Sequence, residues 1–264
     1  MYKGEPNQGM RNIHEILSKY GEENKIDLYK KVYDLRGKKE IPTLEYDAYI
    51  STGGPGSPVD AEGWEEGYLG WINSVMQHNK TLENKKFVFL ICHSFQVFCY
   101  QFKLAEVCLR KSESFGTFPV HKTIDSEQNK ILKNLDDPFY VVDSRKWQVV
   151  KPNYGALKRM GAVILAIEKV RIHVPLERAI MAIQFTSEIF GTQFHPEANA
   201  QGMIFYLQGE EKKKVVIDNY GQEKYDNMLL SLNDPEKIML TQKIVIPTFL
   251  DQVRNALKVK QIIE

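Results

Sequence analysis

The stretch FVFLICHSFQ, residues 87–96, decides the fold. Phe87-Val88-Phe89-Leu90-Ile91 is apolar without alternation, the pattern of a parallel strand covered by helices on both faces. The run stops at Cys92, and the spacing that follows predicts a helix over Phe95–Leu109. A thiol between a strand's carboxyl end and a helix start sits where helix amides stabilise an anion. Strand, tight turn and helix in that order make a nucleophile elbow. On its own, a cysteine ending an apolar run more often packs as a small hydrophobe, so the rest of the chain has to decide.

Outward from this strand, the pattern predicts further strands at Asp27–Tyr33, Tyr46–Ser51, Pro119–Ile124, Phe139–Val142, Ala162–Ile167, Ala179–Phe185 and Ile189–Phe194. Helices are expected over Gln8–Tyr20, with Asn7 as its cap, over Val59–Asn79, and at several places after Ala198. Early alternation of helices and strands implies an α/β fold, a doubly wound and mostly parallel sheet. In such sheets the ligand sits beyond the carboxyl ends of the strands. Two unusual loops share that rim: TGGPGSP after Tyr46–Ser51 and CHSFQ after Phe87–Ile91. They imply one site. Residues 1–206 are expected to form the α/β domain, and residues 207–264 a helical extension packed on it.

His195 and Glu197 flank Pro196 two residues apart, so in extended backbone both side chains leave one face. A carboxylate bonded to one imidazole nitrogen frees the other to act on a thiol, which assigns Cys92 as nucleophile, His195 as proton carrier and Glu197 as orienter. The glycine loop, Gly53–Ser57, can supply backbone N–H donors to an oxyanion, with the amide of His93 as a second donor. The loop lacks a Gly-Lys-Ser/Thr ending, which argues against a phosphate cradle. No cysteine follows Cys108, so His195-Pro196-Glu197 does not open a zinc-deaminase site.

Composition narrows the classes further. Among the 264 residues, 35 Lys and Arg face 34 Asp and Glu, a net charge of +1, which gives no bulk field for nucleic acid or anionic lipid. Cys92, Cys99 and Cys108 form no disulfide framework, and no apolar run approaches the ~18 residues of a membrane span. The expectation is a cytoplasmic protein with no metal or cofactor. Cys99 and Cys108 read as structural, the Trp64/Tyr68/Trp71 stripe as a packing face, and His14, His78, His121 and His173 as ordinary histidines.

The segments ISTGGPGSP, ICHSFQ and GTQFHPEA, in this order, resemble class I, triad-type glutamine amidotransferase domains, over roughly Gly4 to Ala200. The nearest branch is that of standalone GMP-synthase-like domains. The most specific piece, TQFHPE, is similar to the family's G-x-Q-F-H-P-E. The resemblance implies a flavodoxin-like fold and a triad of Cys92, His195 and Glu197, with an oxyanion hole from the amides of Gly54 and His93. It implies substrate contacts from Gln96, Gly56, the Phe115-Gly116 stretch of ESFGTFPV, and Ser144-Arg145. Glutamine is the implied substrate, and an ammonia-accepting synthase or other protein the implied partner. Three features depart from the family. Leu90 and Ser94 stand where it has glycines, and Arg145 replaces the histidine of a Ser-His pair. Relatives also open with a strand ahead of a Gly-Glu-Pro-like loop, so that strand is expected to be absent or truncated here. Arg145 points to a γ-glutamyl amide or peptide as an alternative substrate. Leu90, Ser94 and the long extension point to a catalytically impaired binding or regulatory module.

Overall fold

The computed structural model describes residues 1, 7–171, 175–234 and 236–263; the Gly-Glu-Pro loop and His173 lie outside them. In chain order the elements are α1 (Gln8–Asn24), β1 (Ala48–Ser51), α2 (Glu65–Thr81), β2 (Phe87–Ile91), α3 (His93–Gln101), β3 (Ala105–Lys122) and β4 (Phe139–Pro152). There follow α4 (Tyr154–Met160), β5 (Val163–Glu168), β6 (Ile180–Gln184), β7 (Ile189–Thr192) and the helices α5 (Ala200–Gln208), α6 (Glu210–Tyr220), α7 (Gln222–Asn233) and α8 (Ile238–Ile263). Asn7 caps α1 as expected, its side chain accepting from the Met10 amide at 2.8 Å.

Seven strands form one sheet in the order β1-β2-β7-β6-β5-β3-β4. The α/β class stands, but the sheet is mixed. Only β1–β2 and β2–β7 pair in parallel; β7–β6, β6–β5, β5–β3 and β3–β4 are antiparallel. The central strand alternates its buried side chains between two layers. Phe87, Phe89 and Ile91 pack with Ile13 and Ile16 of α1 and with Val245, Ile246 and Phe249 of α8. Val88 and Leu90 pack on the other face with Tyr68, Trp71 and Ile72 of α2 and with Phe95 and Phe98 of α3. The aromatic stripe of α2 is therefore core. A third apolar cluster joins α5 and α7 to Val142 on β4.

Several boundaries differ from expectation, each for a local reason. Asp27–Tyr33 is not a strand: it leaves the open edge of β1 unpaired, and its Tyr29 packs by its ring against Tyr46 instead. The second helix starts at Glu65 rather than Val59. The helix after Cys92 ends at Gln101 instead of Leu109, because Lys103 takes a left-handed φ of 53° and the Leu104 amide bonds back to Cys99 O. That turn frees Ala105–Lys122 to form one long strand, which puts Cys108 on β3 and absorbs the expected Pro119–Ile124. Its partner runs from Phe139 to Pro152, well past Val142. The expected boundary between residues 206 and 207 falls inside α5, and α8 belongs to the main core.

Candidate active site

Cys92 stands between β2 and α3 with φ 49° and ψ −97°, a conformation that costs a residue with a Cβ of order 1–3 kcal/mol. Surrounding bonds hold it there. Its amide donates to Thr192 O at 2.8 Å and its carbonyl accepts from the Gln96 amide at 2.9 Å. The helix that begins at His93 aims its first amides, without intrahelical partners, at the turn containing the thiol. Both unusual residues of the elbow are accommodated. Ser94 Oγ accepts from the Ile91 amide at 2.9 Å and donates to Ser51 O at 2.6 Å, linking the elbow to the strand that leads into the glycine loop. Leu90 is paired with Gly191 of β7, where an added Cβ would meet Phe95 at 2.8 Å, Phe185 at 2.9 Å and Leu90 itself at 3.3 Å. The bulk that enters at Leu90 is matched by its absence at Gly191.

His195 follows the end of β7, and its amide donates to Val142 O of β4 at 3.0 Å in an isolated antiparallel bridge. Its Nδ1 lies 2.8 Å from Glu197 Oε1, and the Cys92 sulfur acts on the same ring. Burial disfavours charge on that ring. Glu197 and Cys92 outweigh it and hold the imidazole well above its ordinary pKa. Glu197 is 2% exposed, and the α8 residue Gln242 reaches its backbone carbonyl at 3.4 Å. Gln193, fully buried, brings Nε2 to 4.0 Å from Cys92 Sγ. Glu197 Oε2, Gln193 Oε1 and His93 Nε2 are buried without hydrogen-bond partners.

The glycine loop rests on Arg36, a residue that the sequence does not single out. The Arg36 guanidinium chelates Glu62 at 2.6 and 2.8 Å, bonds Pro55 O inside the loop, and reaches Met1 O at 3.4 Å. A Cβ at Gly54 would lie 2.8 Å from Met1 O, and one at Gly56, where φ is +95°, would lie 2.9 Å from Arg36 Nη2. Arg36 also sits 5.6 Å from the Trp64 ring, which is 6.2 Å from the ring of His93. Burial, reinforced by the Arg36 charge, lowers the His93 pKa to about 4. Nothing short of the tertiary fold signals Arg36, since its partners are far off in the chain.

The remaining expected residues are distributed unevenly. Gln96 is buried and its Nε2 donates to Trp147 O at 3.3 Å, tying α3 to β4. Gly116, with φ +129°, lies opposite Asp143 on β4, and Phe115 opposite Ser144. Ser144 is exposed, whereas Arg145 is buried and spends its guanidinium on Asp143 at 2.9 Å and Glu168 at 3.3 Å. Cys92, His195, Glu197 and His93 are thus one group; Arg145 belongs to an ion network. Among the described residues no three His, Cys, Asp or Glu side chains are grouped to hold a metal, and no helix is long and apolar enough to cross a membrane.

Residues 7–204, from the cap of α1 into α5, match the family model of glutamine amidotransferase class-I. The chain belongs to the class-I glutamine amidotransferase family. The fold of this amidotransferase domain is similar to that of a glutamine amidotransferase from Thermotoga maritima, with a TM-score of 0.60 and 17% identity over 90% of this chain and 91% of that one. A glutamine amido transferase from Methylobacillus flagellatus superposes with a TM-score of 0.62 at 14% identity, over 90% and 88%. The glutaminase domain of Trypanosoma brucei CTPS, solved with acivicin bound, gives 0.55 at 14% identity, over 75% and 83%. No curated protein matches the sequence.

Proposed function

We propose that this amidotransferase domain hydrolyses the side-chain amide of glutamine through a covalent intermediate on Cys92. The sulfur attacks the amide carbon, and the amides of Gly54 and His93 receive the charge that develops on its oxygen. As the carbon–nitrogen bond breaks, His195 passes its proton to the leaving nitrogen and ammonia departs. The γ-glutamyl thioester remains. His195, neutral after that transfer, then takes a proton from water, the hydroxide carbon–oxygen bond forms, and glutamate leaves as the thiol is restored. Glu197 holds the imidazole tautomer and stabilises its charged form.

One observation supports the reading above the others: Cys92, at a strained elbow, is close enough for its sulfur to favour charge on the His195 ring, whose Nδ1 lies 2.8 Å from Glu197 Oε1. The ammonia released would serve a synthase partner, as the family's standalone domains do. Arg145 no longer favours a larger γ-glutamyl substrate, because its charge is met by Asp143 and Glu168. The test is glutamate release from glutamine by the purified chain, expected to fall by about 10³-fold or more in Cys92→Ala. Equal rates for the two proteins would sink the assignment. A glutamine-analogue electrophile should label Cys92 in the wild type; a failure to label would favour an impaired, regulatory domain.

A further inference from the structure

A cavity of about 250 Å³ lies between β3, β5 and the helices α6 and α7, with neither Cys92 nor His195 in its wall. Phe115, Phe118, Val120 and Met181 give it an apolar floor. Two lysines converge on that floor: Lys224 Nζ lies 4.0 Å and Lys169 Nζ 4.8 Å from the Phe118 ring centre. Burial lowers both lysine pKa values, and the charge of Lys169 lowers that of Lys224 further. Among the described residues neither ammonium has a carboxylate within ion-pair distance. The arginines of the same wall differ, since Arg110 and Arg171 reach Glu168 at 3.1 and 3.0 Å. Of the other two acids of the wall, Asp143 is bonded to Arg145 and Ser114 Oγ, and Glu113 is exposed at the rim.

We propose that this cavity binds a small organic anion, a carboxylate or phosphate monoester on a compact apolar body. The head would sit between Lys169 and Lys224, and the body would lie on Phe118 and Met181. Two partly buried like charges repel, and the face of one aromatic ring offsets only part of that cost. An anion neutralises both. Ammonium groups are point charges that take carboxylate or phosphate alike, whereas Arg110 and Arg171 already pair with Glu168. The volume falls just below the usual range for drug-sized ligands, which selects a body of one ring or a short aliphatic chain.

Calorimetric titration of the full chain at low salt with phenyl phosphate, phenylacetate and inorganic phosphate tests the site and separates the two head groups. One of the two aromatic anions should bind at least about tenfold more tightly than inorganic phosphate. Lys169→Ala and Lys224→Ala should each weaken it by about tenfold or more, with Lys224→Arg recovering most of the loss. Raising the salt concentration should weaken binding in the wild type, a check that needs no variant. Binding should be unchanged in Cys92→Ala, which separates this site from the proposed glutamine site. Absence of heat, or equal affinity in the Lys169→Ala/Lys224→Ala protein, would overturn the proposal. Equal affinity for inorganic phosphate would remove the apolar half of it.

Discussion

Two sets of buried charged groups adjoin β4, and they are finished differently. In the arm formed by β3, β4 and β5, Glu168 receives Arg145 and Arg110 on one oxygen and Arg171 on the other, with the Ala179 amide as well. Asp143 accepts both from Arg145 and from Ser114 Oγ at 2.7 Å. Every carboxylate oxygen is used. At the rim of the parallel half, Glu197 spends one oxygen on His195 and leaves the other without a partner, as are Gln193 Oε1 and His93 Nε2. Arg171 Nε is buried without a partner, but the arm's carboxylates, with every oxygen bonded, are fixed in one geometry, whereas a buried carboxylate oxygen left open marks a place where a substrate, a water or a moving proton can complete the set. The same strand, β4, serves both. Its Val142 carbonyl holds the backbone of His195, while Asp143 and Arg145 anchor the arm.

The sharpest way to break this contrast is Glu197→Gln. The amide preserves shape but donates where the carboxylate accepted, so the imidazole would be held in the wrong tautomer. We expect kcat for glutamine hydrolysis to fall by about 10⁴-fold, equivalent to about 5 kcal/mol, with little change in the unfolding midpoint. A loss below tenfold would place Glu197 with the structural carboxylates. The converse substitution is Glu168→Gln, which takes the shared carboxylate from three guanidinium groups, of which Arg145 alone keeps a second one, Asp143. It should cost about 3–5 kcal/mol in urea unfolding. A cost below 1 kcal/mol would show that the arm is wetter, or less interdependent, than its geometry implies.

The same contrast explains what could be read from residue order alone. Phe87–Ile91 announces itself because a strand buried on both faces has no polar positions, and His195-Pro196-Glu197 because a period of two puts both groups on one side. The arm hides. Ala105–Ser114 contains good helix formers and follows a helix with neither Gly nor Pro at its end, so the stop supplied by Lys103 in a left-handed conformation carries no signal. Asp27–Tyr33 has strand composition but does not join the open edge of β1, and its Tyr29 instead stacks on Tyr46 at 6.0 Å. Arg36 and Glu62 are ordinary surface residues by type and become a clamp only when the chain brings them beneath the glycine loop. Pairings made by distant segments were out of reach; periodicity and motif spacing were not.

His93 sharpens the comparison through pH. Its folded pKa of about 4 lies below the unfolded value of about 6.5, so the unfolded chain binds more protons in between. The stability it contributes is full above pH 6.5 and is lost as pH falls towards 4, a change of about 3 kcal/mol in all. His93→Gln removes that titration. Urea midpoints measured between pH 7 and pH 4 should therefore fall more steeply in the wild type than in the variant. Parallel curves would mean that His93 takes up protons in the folded protein as easily as in the unfolded one.

The smallest expected effect concerns the one polar side chain of the elbow that is fully satisfied. Ser94 Oγ joins the Ile91 amide and carbonyl to Ser51 O, and so fixes the distance between the nucleophile's turn and the loop carrying Gly54. Removing the hydroxyl in Ser94→Ala leaves the Ile91 amide and Ser51 carbonyl buried without that bond, at a cost of about 1–2 kcal/mol. If the hydroxyl also holds the proposed oxyanion donors in register, kcat should fall while KM for glutamine stays close to that of the wild type, since the donors act on charge that appears only in the transition state. A rise in KM alone would assign Ser94 to holding the ground-state substrate pocket. No change in stability would mean that the elbow, like the triad beside it, tolerates open polar groups, and the distinction between the two buried sets would lose its physical basis.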